Sequence, residues 1–319
     1  MWAMSLTRVE LMVLSSIVEP VTLQELSEQL GLSKSRLSII VKSLKEKGMV
    51  TTERIKRRLW VAPANNNAVL TFRELQLRVP YIDLTEILNG KTLEVLYVLS
   101  PQKPLTAAEI SAITGVSVYT VYYVLNKLSE RSFIGKKGLK YFLNPRFELL
   151  HKFAREFFNL QSTLKAKKFA QDAVVIWNNI SEFILASEHF KGESFGNFQL
   201  TGFARFGNWG MNLVSTGVYY YYYSPFRKKL EIEDVIVHTL VITKGIRDVR
   251  DFMYLAVLMK ANWGLINLEK LNKLAVKFGV SEALDELIRY LKGELPAKYP
   301  YPTWKELNDL YEMYFGRKA

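Results

Sequence analysis

Cysteine is absent from this sequence of 319 residues, and histidine occurs only three times. The lack of cysteine excludes disulfide bonds, thiolate zinc sites and cysteine nucleophiles. His151, His189 and His238 lie far apart in the chain and do not have the spacing of metal ligands. We therefore expect neither a metal site nor a cofactor.

Long hydrophobic runs are also missing. No window approaches the ~18 consecutive apolar residues that a membrane-spanning helix needs. Arg8 and Glu10 interrupt the apolar residues near the start, which is unlike a signal peptide. An apolar fraction of 49% still suffices for packed cores, and the length exceeds one ordinary domain. We therefore expect a cytoplasmic protein of two or three compact units without membrane association.

Acidic residues are outnumbered, and the imbalance is confined to one part of the chain. The formal net charge is +12. Residues 1–170 contain 25 basic and 14 acidic residues, whereas the remainder contains 18 and 17. A basic amino-terminal part joined to a nearly neutral carboxy-terminal part suggests a polyanion-binding module attached to a region with another task.

The stretch from Thr22 to Leu44 predicts two short helices across a tight turn. Thr22 and Glu25 form a capping box for the first helix, Gly31 ends it, and Ser33 caps the second. Apolar residues recur at helical spacing in the second helix, at Leu37, Ile40, Val41 and Leu44. The residues that this pattern leaves outward are Lys34, Ser35, Arg36, Ser38 and Lys42. This is the pattern of a helix-turn-helix with a basic outer face.

The flanking residues extend this motif to a winged helix. Residues 6–17 predict a preceding helix, and Gly48 ends the helix that follows the turn. Two β-prone runs, MVTTER and LWVAP, then predict a hairpin. Its basic tip contains Lys56, Arg57 and Arg58, which we expect to contact phosphate or the minor groove while the recognition helix enters the major groove.

The same pattern returns 84 positions later. Thr106, Glu109, Gly115 and Ser117 repeat the caps and the turn glycine, and Val121, Val124, Leu125 and Leu128 repeat the apolar positions. A second wing follows in FIGKKGLKYFLNP, with Lys136 and Lys137 at its tip. Caps, glycine and core positions in one register indicate an internal repeat.

The two recognition helices differ at their outward positions. Arg36 can pair bidentately with guanine, which is worth about 1–3 kcal/mol of discrimination. The second helix has no such cation and instead presents Val118, Tyr119, Thr120, Tyr122 and Asn126. Its tyrosines suit thymine methyls and phosphates, and equally a protein surface. Both interpretations stay open, and the first helix is the stronger candidate for specific contact.

Beyond the second wing, residues 146–170 predict a long amphipathic helix that connects the modules. The runs AVVIW and EFILA predict a β-hairpin, and the tyrosine run after QLTGFARFGNWG predicts a buried strand. LTGFARFG loosely resembles the glycine-serine turn of nucleotidyltransferases, but no acidic residue occurs between 194 and 230 to hold the metal ions of that chemistry. The last hundred residues predict helices, although VIVHTLVI, with His238, also fits a strand.

These motifs resemble archaeal multi-winged-helix regulators, and residues 172–292 resemble the carboxy-terminal domain of AbiEi-type antitoxin regulators. The segments that carry the second resemblance are LTGFARFGNWG, the tyrosine-rich strand, EDVIVHTL and INLEKLNKLAVKFGVSEALDELIRYL. The resemblance implies DNA binding at the operon's own promoter through residues 33–42 and the wing at 56–58. It also implies a second domain that helps to neutralise a nucleotidyltransferase-type toxin. The duplicated winged helix departs from the single one usual in that family.

Taken together, the sequence predicts a mostly α fold with small β wings plus an α+β carboxy-terminal domain. The expected divisions are a winged helix-turn-helix at 1–62, a linker at 63–83, a second winged helix-turn-helix at 84–145, a connecting helix at 146–170 and an AbiEi-like domain at 171–319. The expected function is sequence-specific binding of double-stranded DNA by a non-enzymatic, homodimeric transcriptional regulator. The alternatives are a plasmid or viral replication initiator that binds origin repeats, and a protein-interaction module built from winged helices.

Overall fold

The computed structural model describes residues 5–189, 192–214, 217–226, 229–246, 248–294 and 301–316. The chain forms two compact units. One comprises Met1–Lys165 with Asn179–Ser181, and the other comprises Ala166–Asn178 with Glu182–Ala319. The fold is mostly helical with small antiparallel sheets, as the sequence predicts.

The first unit begins with a winged helix. Its elements are α1 (Arg8–Ser16), β1 (Val21–Thr22), α2 (Leu23–Leu30), α3 (Lys34–Glu46), β2 (Val50–Ile55) and β3 (Arg58–Pro63). The strands form an antiparallel sheet in the order β1-β3-β2. The short strand β1, which the sequence pattern does not reveal, pairs Val21 with Val61 and so joins the start of α2 to the wing.

The elements of the following region are α4 (Asn67–Arg78), α5 (Leu84–Ile87), α6 (Gly90–Val98), β4 (Leu105–Thr106), α7 (Ala107–Thr114), α8 (Val118–Glu130), β5 (Ile134–Lys137) and β6 (Lys140–Leu143). From α6 onward their order is that of α1 to β3. The sheet order β4-β6-β5 also has the arrangement of the first sheet.

The segment 63–83, which the sequence suggests as a linker with a short helix from Val69 to Leu77, contains the packed helix α4. Phe72 and Leu75 of α4 are buried in the core of the first unit. The asparagine-rich stretch before α4 supplies its cap, because Asn66 Oδ1 accepts a hydrogen bond from the backbone N–H of Val69 at 3.1 Å. Asn66 Nδ2 also donates to the carbonyl oxygen of Gly48 at 2.8 Å. The polar residues therefore anchor the helix rather than form a free connection.

The predicted connecting helix is α9 (Glu148–Phe169). Its side chains Phe153, Phe157 and Phe158 are fully buried in the first unit. Phe153 lies with its ring centroid 5.5 Å from that of Phe72. Aromatic rings at helical spacing thus give this unit much of its core.

The second unit contains a four-stranded antiparallel sheet. The strands are β7 (Val174–Asn178), β8 (Phe183–Ser187), β9 (Phe198–Thr201) and β10 (Tyr219–Tyr223), in the order β7-β8-β10-β9. The predicted hairpin is the pair β7 and β8, and the tyrosine run is β10 at the centre of the sheet. Tyr221 is fully buried, as expected for a central strand.

Helices follow the sheet, separated from β9 by a 3₁₀ segment (Gly202–Trp209) and β10. They are α10 (Ile232–Ile246), α11 (Val249–Ala261), α12 (Leu268–Phe278), α13 (Ser281–Leu291) and α14 (Trp304–Phe315). The alternative strand at VIVHTLVI is wrong, since this stretch lies inside α10. His238 is buried there, with Nδ1 2.8 Å from Thr201 Oγ1. Burial on several sides of α10 explains why its residues lack the usual amphipathic pattern.

No single helix in the described ranges is long and apolar enough to cross a membrane. Among the described helices, only α7 and α8 taken together are long and apolar enough for a membrane-spanning segment, and their axes are bent by 117° relative to each other.

Candidate nucleic-acid interface

The helix-turn-helix forms as its caps predict. Thr22 and Glu25 make the reciprocal capping box of α2, and Gly31 ends that helix at a φ of 64°. Ser33 Oγ then accepts a hydrogen bond from the backbone N–H of Arg36 and starts α3. The buried side chains of α3 are Leu37, Val41 and Leu44. The opposite side of α3 is thereby left to solvent.

All the predicted contact residues of α3 are exposed, namely Ser33, Lys34, Ser35, Arg36, Ser38 and Lys42. At 100° per residue, Ser35, Ile39, Lys42 and, in the last turn, Glu46 lie most directly opposite the buried stripe. Ile39 is 70% exposed, although its apolar character had suggested no role in contact. Arg36 lies on the flank of α3, on the same side as Ser43. The centre of this surface is therefore mixed, with an apolar side chain beside a cation.

A buried ion pair holds α3 against α1. Lys47 Nζ lies 2.6 Å from Glu10 Oε1, and the two side chains are 10% and 5% exposed. Lys47 also donates to the carbonyl oxygen of Ser5, and Ser43 Oγ donates to Glu10 Oε1 at 2.6 Å. Burial alone would raise the pKa of Glu10, but hydrogen bonds from Lys47, Ser43 and the Thr7 amide outweigh it and lower the pKa. The orientation of the recognition helix thus depends on a fully satisfied polar cluster.

The wing ends in a two-residue turn formed by Lys56 and Arg57. Both have positive φ, 46° and 69°, which is the pattern of a type I′ turn. Such turns favour asparagine and glycine, because longer side chains are strained in the left-handed region. The strands extend further toward the tip than the sequence suggests, so that Arg58 belongs to β3. The two cations at the very tip are exposed and are held there at an energetic cost.

Arg58 occupies a different environment from the two tip residues. Hydrogen bonds from the Thr22 amide and hydroxyl lower the pKa of Glu25, and the nearby charge of Arg58 adds to that effect. The same relation exists in the second winged helix, where Lys140 is one of the charges that lower the pKa of Glu109. Arg58 is therefore near a cap carboxylate as well as exposed to solvent, whereas Lys56 and Arg57 form the turn itself.

The second recognition helix, α8, is built in the same way but presents another chemistry. Ser117 caps it, and Thr120 Oγ1 lies 2.8 Å from Ser117 Oγ, so that Thr120 serves the cap. Tyr119, Tyr122 and Tyr123 are 85%, 48% and 68% exposed. Tyr123 stands 84 positions after Ile39 and was likewise not among the predicted contacts. Residues 118–126 include no charged side chain, so this face gains nothing from counterion release.

The second wing differs from the prediction at its tip. The turn consists of Gly138, with a φ of 60°, and Leu139, which is 79% exposed. Lys136 and Lys137 are exposed but lie in β5, and Lys136 Nζ lies 5.1 Å from the centre of the Tyr141 ring. Gly138 takes the position that corresponds to Lys56, and Leu139, which does not have a positive φ, takes that of Arg57.

The carboxyl end of α8 is also held by ion pairs, but these are exposed to solvent. Arg131 Nη2 lies 2.6 Å from Glu86 Oε2, and Lys127 Nζ lies 3.8 Å from Glu86 Oε1. Hydrogen bonding to Arg131 is the main reason that the pKa of Glu86 is lowered. The position of α8 therefore depends less on buried charge than that of α3.

Comparison with known families gives two matches. Residues 5–57 match the model of the MarR family, which comprises non-enzymatic DNA-binding regulators. Residues 196–315 match the model of a family named HVO_2833_C and described as a C-terminal domain. The chain has no match among curated proteins. The MarR match lies over α1, α2, α3 and most of the wing, and it supports a DNA-binding transcriptional regulator.

Proposed function

We propose that this protein is a sequence-specific transcriptional regulator in which α3 enters the major groove of double-stranded DNA. In this proposal Ser35, Ile39 and Lys42 approach base edges from the centre of the exposed face, the long side chain of Arg36 reaches a base from its flank, and Ser33, Lys34 and Ser38 contribute at the rim. Lys56 and Arg57 contact the backbone from the wing. The observation that carries the proposal is the exposed, basic face of α3 within a segment that matches the MarR family.

The charge distribution supports this arrangement. The predicted contact cations lie on two elements and are all exposed, with Lys34, Arg36 and Lys42 on α3 and Lys56, Arg57 and Arg58 at the wing. Each phosphate contact releases condensed counterions. In a plot of the logarithm of the association constant against the logarithm of salt concentration, each contact should therefore make the slope more negative by about 0.9. Bidentate pairing of an arginine with guanine adds discrimination rather than uniform affinity. The two elements therefore have separable roles.

Binding assays with two substitutions test this separation. A site selected from a random duplex pool supplies the DNA, and affinity is measured from about 50 to 200 mM salt, the range in which one phosphate contact changes affinity about 3.5-fold. Arg36→Ala should weaken the selected site by about 5- to 150-fold and relax the preference at one base pair. Arg57→Ala should weaken all sequences alike and reduce the salt slope by about 0.9.

Arg289→Ala is the matched control, since it removes the same charge from α13 in the second unit. It should leave both the affinity and the salt slope unchanged. If Arg36→Ala and Arg57→Ala bind the selected site as the unaltered chain does, the proposed surface is wrong. Thermal unfolding of each variant separates loss of contact from loss of fold.

The proposed active form is a homodimer. MarR-type regulators often bind double-stranded DNA as dimers. Two recognition helices related by a two-fold axis would read half-sites about 10 base pairs apart in inverted order. The selected DNA reports this directly, because inverted half-sites favour a promoter-binding dimer, whereas tandem direct repeats favour the replication-initiator alternative.

The finer expectations from the resemblance stay predictions. These are archaeal origin, an AbiEi-like domain, autoregulation and a nucleotidyltransferase-type toxin partner, and the comparisons give the toxin partner no support. The division into segments 1–62, 63–83, 84–145, 146–170 and 171–319 is likewise a proposal. The role of α8 also stays open, since Tyr119 and Tyr122 suit either DNA or a protein surface. Substitution of both by alanine without any change in duplex affinity would favour the protein-interaction alternative for this helix.

A further inference from the structure

The second unit contains a cavity of about 720 Å³ that plays no part in the proposed DNA interface. It lies among the 3₁₀ segment, β10 and the facing ends of α11 and α14. Its aromatic lining residues are Phe203, Tyr219, Tyr220, Tyr254 and Tyr314. The volume is within the range of small-molecule sites, about 300–1,000 Å³.

The charged residues of the lining are Asp248, Arg250 and Asp251, so that carboxylates outnumber cations among the described lining residues. Of the two aspartates there, Asp248 caps α11 and lies 3.7 Å from Arg250. Within the described ranges, the Asp251 carboxylate makes no hydrogen bond and no ion pair. Burial raises the pKa of Asp251 and the neighbouring charge of Asp248 raises it further, which outweighs the lowering effect of the nearby Arg250 charge. Asp251 thus lies beside aromatic walls, and among the described lining residues the two carboxylates share one guanidinium, that of Arg250, which pairs with Asp248.

The tyrosines that line the cavity near Asp251 have raised pKa values. Burial raises the pKa of Tyr220, and the charge of Asp251 adds to this effect, which places the two side chains near each other. Burial is the main reason that the pKa of Tyr314 is raised, and the nearby Tyr254 raises it further. These phenols are therefore neutral at physiological pH, and their rings attract positive charge through their faces.

We propose that this cavity binds a small organic cation with a flat apolar body, in which the aromatic walls contact the body and Asp251 pairs with the charge. An anion would meet two carboxylates and only one guanidinium, that of Arg250, which already pairs with Asp248. A neutral ligand would leave the excess negative charge at Asp251 unpaired. A compact inorganic cation would leave the aromatic surface unused. This site is separate from the DNA-binding proposal and does not rest on it.

Calorimetric titration of the full chain with three probes of similar shape tests the proposal. Benzamidine is the cation, benzoate the anion and benzyl alcohol the neutral compound. Benzamidine should bind with a dissociation constant of about 1 mM or tighter, and at least tenfold more tightly than either other probe. Asp251→Asn, which keeps the shape and removes the charge, should abolish the preference for benzamidine over benzyl alcohol.

Two further variants complete the experiment. Asp285→Asn removes an equivalent carboxylate from an exposed position of α13 and should leave all three affinities unchanged. Tyr254→Leu should weaken benzamidine and benzyl alcohol together, and it provides an independent test if Asp251→Asn does not fold. The proposal is overturned if benzamidine does not bind at about 10 mM, tenfold above the expected constant. It is also overturned if benzoate binds as tightly, or if folded Asp251→Asn keeps the preference.

Discussion

Glu10→Gln should destabilise the first unit, because it removes the charge that balances the buried ammonium of Lys47. The Lys47 Nζ atom lies 2.6 Å from Glu10 Oε1, and both side chains are at least 90% shielded from solvent. Breaking a buried ion pair by removing one partner costs about 3–5 kcal/mol. The amide oxygen of glutamine still accepts one hydrogen bond, so we expect a loss near 3 kcal/mol. For a unit of this size, that loss corresponds to a decrease of about 6–12 °C in the melting temperature.

A double-mutant cycle isolates the pair. Glu10→Leu combined with Lys47→Met replaces both charges by apolar groups of similar length, and such replacements are often neutral or stabilising. The double variant should therefore melt closer to the unaltered protein than either single variant, with a coupling free energy of about 2 kcal/mol or more. Circular dichroism during thermal and urea unfolding measures these differences. Additive effects of the two substitutions would refute the reasoning.

Glu269→Gln provides the comparison for an exposed pair. Lys273 Nζ lies 2.6 Å from Glu269 Oε1, as close as in the buried pair, but the side chains are 75% and 80% exposed. Surface pairs of this kind contribute little because water screens them. We expect no measurable change in melting temperature. An equal loss in both variants would show that the distance, and not burial, determines the effect.

The buried pair of Glu10 and Lys47 also makes the free energy of unfolding depend on pH. The folded-state pKa of Glu10 lies below its ordinary value of 4.5. The stabilisation is therefore fully present above the unfolded-state pKa and is lost as the pH falls through the folded-state pKa. In Glu10→Gln the decrease in stability below pH 4.5 should be shallower than in the unaltered chain. Urea unfolding at a series of acidic pH values measures the two slopes, and identical slopes would contradict the assignment.

Three further predictions concern the recognition helix and the wing. Lys56→Asn with Arg57→Gly relieves two positive-φ residues and should raise the unfolding free energy by about 1 kcal/mol, while reducing the salt slope of DNA binding by about 1.8. Ile39→Ser should weaken binding to a selected site that contains thymine opposite α3, without a change in salt slope. Gly48→Ala should destabilise by about 1–3 kcal/mol, since a Cβ there would lie 2.9 Å from Leu164 Cδ1 at a φ of 71°.

The helix-turn-helix was predictable from sequence because its determinants are local. Caps three residues apart and a turn glycine fix α2 and α3 without reference to the rest of the chain. The ion pair between Glu10 and Lys47 was not predictable, since its partners are 37 positions apart and no short-range pattern links them. The exposure of Ile39 was predictable in principle, because helical periodicity places it opposite Leu37 and Val41.

The second unit shows where short-range patterns fail. The β-branched residues of VIVHTLVI fit a strand, but the acidic first turn and the length of α10 favour a helix, and burial removes the amphipathic signal. The strand order β7-β8-β10-β9 depends on pairings between distant segments. The aromatic cavity combines residues from 203 to 314, and only the folded chain brings Asp251 next to Tyr220.

The two winged helices share their scaffold and differ at the surface, which separates folding determinants from contact determinants. Each has a capping box, a left-handed glycine and a serine cap, and in each a basic residue of the wing lies near the cap carboxylate. Arg58 and Lys140 are both exposed, and the role of Arg58 in phosphate contact stays a prediction. The first wing presents the exposed cations Lys56, Arg57 and Arg58, and Lys56 and Arg57 both have positive φ, whereas in the second wing Gly138 alone of the two turn residues does. Since strain that persists at an exposed turn needs a compensating benefit, the first wing is the one whose sequence is best explained by contact with a polyanion.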